Sequence, residues 1–194
     1  MSKQSYDVLD KALYGIIAVM LSGLFYSLYT TFLSRDVFTV KTELEKKVDE
    51  GKAWSSSKRF TLDAGSSKQV VLINNSGKNI KVVAVEVSSE GNADLDIYSD
   101  VTVEAHGDVW VISNLNLASD YMIDVRIEDG GTYSGGTKRH ETIAYGGAKQ
   151  FAVGSLSEIG EGVILPSGRN IMVVVTNTTT QSIKISLRFL FYEK

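Results

Sequence analysis

The chain has two histidines, His106 and His140, and a Ser-His-Asp hydrolase would need one of them within hydrogen-bond reach of a serine. His106 lies in EAHGD, a turn pattern, and His140 in KRHET, a charged stretch, so both read as surface histidines. There is no H-E-x-x-H or comparable zinc spacing. With no cysteine, disulfides and thiolate metal sites are excluded. Oxygen ligands are present: Asn92, Asp94 and Asp96 alternate and so share one face of a strand, with Asp100 close by. Asp94 and Asp96 are candidate Ca2+ ligands, against the plainer reading of a solvated strand face. No cofactor is expected.

Residues 131–138, GTYSGGTK, approach the phosphate loop G-x-x-x-x-G-K-[ST], but Thr137 precedes Lys138 instead of following it. The hydroxyl and the ammonium then miss the positions that reach Mg2+ and phosphate, and no strand-loop-helix surrounds them. A nucleotide site is rejected. The wider tract DGGTYSGGTKRHETIAYGG reads as a long exposed loop, with Tyr133, Lys138, Arg139, His140 and Tyr145 as possible recognition residues, because aromatic and arginine side chains anchor contacts well. Asn74-Asn75-Ser76 and Asn177-Thr178-Thr179 match the N-glycosylation pattern and suggest exposed strand ends.

The elements that would position these residues fall into two parts. Residues 12–33 carry no charge; as a helix they reach about 33 Å, enough for a bilayer core. The run is longer than the core of a cleaved signal. Gly15, Ala18, Ser22, Tyr26 and Tyr29 fall on one side of the helical wheel and large aliphatic residues on the other, which predicts a helix-helix interface on the small, hydroxylated face. A removed signal and a buried globular helix are the alternatives. Val37, Val40, Leu44 and Val48 continue as an amphipathic stalk, with Glu43 and Lys47 paired four apart and Gly51 as the stop. Asp36 is a candidate cap for a separate second helix, and the flanking charges leave membrane orientation unread.

Trp54–Arg59 reads as a polar joint, and alternation begins near Phe60. KQVVLINN, IKVVAVEV, ADLDIYSD, DVWVISNL, YMIDVRIE, AKQFAVGS, NIMVVVTN and SIKISLRFLF read as strands parted by turn residues. With no helices between them they predict a mainly β fold, an antiparallel β-sandwich of jelly-roll or immunoglobulin-like type. Domains are thus expected at 1–55, a membrane-spanning or bundle-forming helix with its stalk, and 56–194, the sandwich. An internal echo links VVLINNSGKNIKVVAVEV to MVVVTNTTTQSIKISLRF, two similar hairpins that would occupy equivalent places. The 20 basic residues against 23 acidic leave a net charge of −3, which speaks against nucleic acid as a partner.

This layout resembles two groups of assembly subunits. The apolar helix before a β-sandwich resembles archaeal type IV-like pilins and archaellins, with Lys11 to Gly15 before Ile16 as the matching stretch; the resemblance implies processing after Gly15 and helices bundled in a filament core. GVILPSGRNIMVVVTNTT followed by a terminal amphipathic strand resembles the jelly-roll modules of viral capsid, spike and receptor-binding proteins. The expected function is a non-enzymatic structural subunit of a virion or surface assembly, membrane-anchored or oligomerised through residues 12–33. Its expected partners are other copies of itself, other assembly proteins, membrane lipid and a host or surface receptor. A pilin-like filament subunit is the alternative, and a deep pocket with convergent polar groups would favour a membrane-tethered binding module or enzyme.

Overall fold

The computed structural model describes residues 42–146, 154–155 and 162–194. The chain divides into two units, residues 1–41 and 42–194, and all described residues belong to the second. The apolar run 12–33, with Gly15, Ala18, Ser22, Tyr26 and Tyr29, lies outside them, as do Asp36, Val37 and Val40. Among the described residues no helix is long and apolar enough to cross a membrane.

The body opens at a reciprocal helix cap. The Thr42 N–H donates to Glu45 Oε2 at 2.6 Å and the Glu45 N–H to Thr42 Oγ1 at 3.3 Å, starting helix α1 (Glu43–Asp49). Leu44 and Val48 are half-buried, and Gly51 takes φ +70° after the last turn. Lys47 meets Glu50 at 3.4 Å. Glu43 accepts from the Tyr192 hydroxyl at 2.6 Å, a bond that holds its carboxyl below the ordinary value and ties the helix to the last strand.

In chain order the strands are β1 (Ala53–Leu62), β2 (Ser67–Asn74), β3 (Ile80–Ser89), β4 (Ala93–Ser99), β5 (Thr102–Ala105), β6 (Asp108–Val109) and β7 (Ser113–Asn114). They continue as β8 (Val125–Asp129), β9 (Thr132–Ser134), β10 (Thr137–Ala144), β11 (Gly154–Ser155), β12 (Val163–Leu165), β13 (Asn170–Asn177) and β14 (Ile183–Glu193). One sheet runs β11-β3-β14-β1-β7, with β12 also on β3; the other runs β10-β4-β13-β2-β8-β6; β5 and β9 form a small third sheet. All pairings are antiparallel. The two large sheets share one core, in which Trp54, Phe189, Phe191 and Leu187 meet Leu72, Leu95, Ile127 and Val173; each such side chain contributes about 1.5–3 kcal/mol by leaving water.

Consecutive burial of Val70, Val71 and Leu72, and of Ile171, Met172 and Val173, has a simple cause. The second sheet is covered on both faces, by the first sheet inside and outside by Tyr133 and Val101, which pack on Val71 and Met172. Apolar runs replace alternation where both faces are buried.

The echo in the sequence is a real symmetry of the fold. Residues 61–82 align without a gap with residues 164–185. Val70 pairs with its own equivalent Val173, and Glu86–Arg188 and Val85–Phe189 flank the same pseudo-two-fold axis in the other sheet. At the two related corners, Asn74 Nδ2 donates to Leu165 O and Lys78 O, and Asn177 Nδ2 donates to Leu62 O and Gln181 O, all between 2.7 and 3.0 Å. Asn74 Oδ1 accepts from Ser76 and Asn177 Oδ1 from Thr179 in the same way. Both asparagines are fully buried, so the sequon reading is corrected: in the folded body neither amide is reachable.

Other expectations also change. The supposed joint at Trp54 is strand β1: Trp54 is fully buried, and the buried Ser56 hydroxyl donates to Val111 O at 2.7 Å. The body therefore includes residues ahead of position 56. DVWVISNL is not one strand, since β6 joins the second sheet and β7 the first. Tyr121 and Met122 are exposed and precede β8, and of AKQFAVGS the described part is β11.

Candidate ligand cleft

The described part of the glycine-rich tract, residues 129–146, is not a long loop. Gly130, Gly135 and Gly136 take φ between +65° and +92°, left-handed conformations that side chains resist. They form the turns around β9 and deliver β10 to the edge of the second sheet beside β4. This separates the five recognition candidates. Tyr133 is buried against Glu128, and burial with that neighbouring charge pushes its hydroxyl up to about 12. The Lys138 ammonium bonds Glu141 at 2.7 Å and Asp96 at 2.9 Å, and these two partners raise its pKa. Tyr145 is exposed just past the far end of β10. Arg139 and His140 come together.

They line a cleft of about 460 Å3 between the β10-β4 edge of one sheet and β12 of the other. Ile97, Val163, Leu165 and Ile171 give it an aliphatic floor, with Ile164 and Pro166 beside them. Arg139 and Arg169 stand on its walls with Ser99 and Asp100. Arg139 Nε donates to Ser99 Oγ at 2.7 Å, and Arg169 Nη1 to Asp100 Oδ1 at 3.1 Å. Asp100 has φ +59° and is the one non-glycine residue at positive φ among the described residues. Asn170 holds it there: its carbonyl accepts from Asp100 N, and its side chain accepts from Val101 N and donates to Val101 O, both at 2.9 Å. Backbone strain of this kind, about 1–3 kcal/mol, concentrates at functional sites. His140 also lines the cleft, and its Nε2 is shut off from solvent without a hydrogen-bond partner among the described residues.

The residues suggested for Ca2+ are placed differently. Asp94 and Asp96 are half-buried on β4, and Asp96 is engaged by Lys138. Among the described residues no group of three or more His, Asp or Glu side chains is placed to hold a metal ion.

A second polar cluster, not foreseen from sequence, lies at the end of β8. Glu128 is fully buried and accepts from Arg126 Nε and from the Tyr133 hydroxyl, with His106 Nδ1 at 3.0 Å. The adjacent Asp129 accepts from Lys58 Nζ at 2.9 Å and Trp110 Nε1 at 3.0 Å, with Lys68 at 3.5 Å. Burial alone would push the Asp129 carboxyl up, but the bonds from Lys58 and Trp110 and the charge of Lys68 outweigh it and hold it low. Glu193 behaves alike, its burial offset by Lys78 and the Tyr121 hydroxyl. A carboxyl held below its unfolded value stabilises the fold fully above that value, and the contribution is lost as pH falls through the folded one. The urea midpoint of the protein is therefore expected to hold through neutrality and fall below about pH 4. Asp129→Asn should lower the neutral midpoint and flatten the acid fall, whereas an unchanged acid slope in that variant would contradict the assignment.

No protein-family model matches the chain, and no curated protein does. Solved structures align weakly. The mitogen derived from Yersinia pseudotuberculosis does so with a TM-score of 0.35 and 8% identity, over 70% of this chain and 83% of its own. A de novo designed double-stranded β-helix gives 0.24 and 12%, over 69% and 96%. The BFDV capsid protein in its 60-mer gives 0.22 and 6%, over 73% and 92%. Scores of this size carry no functional argument, and the cleft stands on its own geometry.

Proposed function

We propose that the chain is a non-enzymatic structural subunit of a virion or surface assembly, in which the segment before Thr42 joins copies to one another and to lipid and the jelly-roll body is displayed. The observation that carries this reading is the division at residues 41 and 42. The body closes its own core from residues between Trp54 and Phe191 and begins at a satisfied cap, which leaves the uncharged run 12–33 as a separate unit with its own face of small residues. The jelly-roll reading rests on the pairing order. With the insertion between β4 and β10 set aside, and β11 and β12, which both pair with β3, counted together as the sixth, the eight strands run first-eighth-third-sixth in one sheet and second-seventh-fourth-fifth in the other, two hairpins wound together.

A second reading, a membrane-tethered binding module, is favoured by the cleft at Arg139 and Arg169, and it is compatible with the first. The interface is tested at Ser22. Ser22→Leu in the full chain should shift the oligomer distribution in detergent toward monomer, because a larger side chain parts closely packed helices. Leu24→Ile on the other face should leave it unchanged. Equal behaviour of Ser22→Leu and wild type would sink the interface.

A further inference from the structure

The pseudo-two-fold axis gives the cleft an internal control. Its counterpart on the other side of the body is built from equivalent positions: Phe60 stands where the cleft has Val163, Asp129 where it has Ile97, and Lys68 where it has Ile171. There the chain fills its own space. Lys68 lies over the Phe60 ring at 5.4 Å and pairs with Asp129, whose other partners are Lys58 and Trp110. On the cleft side three aliphatic side chains replace an aromatic ring and an ion pair, and about 460 Å3 is left, within the range of small-molecule sites.

We propose that this cleft binds an aliphatic monocarboxylate, with its tail on Ile97, Val163 and Ile171 and its carboxylate at Arg139. The floor is aliphatic, and the described lining holds no Trp, Tyr or Phe for a sugar ring to stack on, so the floor suits a hydrocarbon chain. The wall suits an anion. Arg169 has a carboxylate partner in Asp100, whereas among the described residues Arg139 has only the neutral Ser99 hydroxyl, on Nε, so the rest of its guanidinium fork remains for a carboxylate. The binding role extends the tethered-module reading, but it does not require self-association.

The test is photolabelling of the full chain with a decanoate carrying a diazirine near its tail, mapped by peptide mass spectrometry. Label is expected on the peptide spanning residues 163–171, competed by decanoate. It should fall at least tenfold in Arg139→Met, which keeps the apolar stem and removes the charge, and in Val163→Phe, which copies the filled side. Arg139 is exposed, so the first variant leaves the core intact. The alcohol analogue should label this peptide at most one-tenth as well. Label confined to residues 12–33, equal labelling by the alcohol, or labelling indifferent to Arg139→Met would each overturn the proposal. Failure here with Ser22→Leu still dissociating the oligomer removes the cleft ligand and leaves the assembly reading standing.

Discussion

Residues 42–194 are expected to unfold in one cooperative thermal transition, and residues 56–194 to show none. The shorter fragment loses Trp54, which is fully buried, stacked on Phe191 at 6.1 Å and tilted against Tyr121 at 5.7 Å. It also loses the register pairs Ala53–Tyr192, Trp54–Phe191 and Ser55–Leu190 and both pairings that hold β7. Removing a buried tryptophan costs about 3–5 kcal/mol, and the loss of α1 with its Glu43–Tyr192 bond comes on top. A total of that size consumes most of the roughly 5–15 kcal/mol by which a domain is stable. Circular dichroism melts of the two fragments decide it. A cooperative transition in residues 56–194 close to that of residues 42–194 would show that β1 begins, energetically, where the alternation of the sequence does.

Asn177→Ala is expected to lower the melting temperature by about 6–12 °C, corresponding to about 3 kcal/mol in a body of this size. Asn177 Nδ2 serves Leu62 O, Asp63 O and Gln181 O, and its Oδ1 accepts from the Thr179 N–H and hydroxyl. The alanine leaves these groups facing one another in a closed corner. Asn177→Asp should not rescue it, because an aspartate keeps the acceptor and loses every donation to a carbonyl. Symmetry makes the prediction sharper, since Asn74→Ala removes the same arrangement at the other corner and should cost a similar amount. A shift under about 2 °C in both single variants would mean that the corners do not hold the hairpins together.

What the sequence made legible followed from side-chain period. The alternation of Ile183, Ile185, Leu187 and Phe189 is the buried face of β14, and the two Asn-containing hairpins proved to be symmetry equivalents. What it hid followed from long-range pairing. Trp54–Arg59 looks like a joint because its polar residues are satisfied by partners far along the chain, Ser56 by Val111 O and Lys58 by Asp129. The glycine-rich tract suggested a long exposed loop, but Gly130, Gly135 and Gly136 are spent on left-handed turns that bring β10 into a sheet. Arg139 and His140 were legible by type alone. Ser99, Asp100 and Arg169 were not, because the pairing of Ile171 with Ser99 brings them to the cleft from distant stretches. GVILPSGRN supplied the wall and floor residues Val163, Leu165 and Arg169, and had suggested only a general likeness.

The most direct measurement of the central claim is the mass in solution, by analytical ultracentrifugation in matched detergent, of the full chain beside residues 42–194. The account predicts a discrete multimer for the full chain, dissociated by Ser22→Leu, and a monomer for residues 42–194. A monomeric full chain, or a multimer that persists unchanged in residues 42–194, would contradict it.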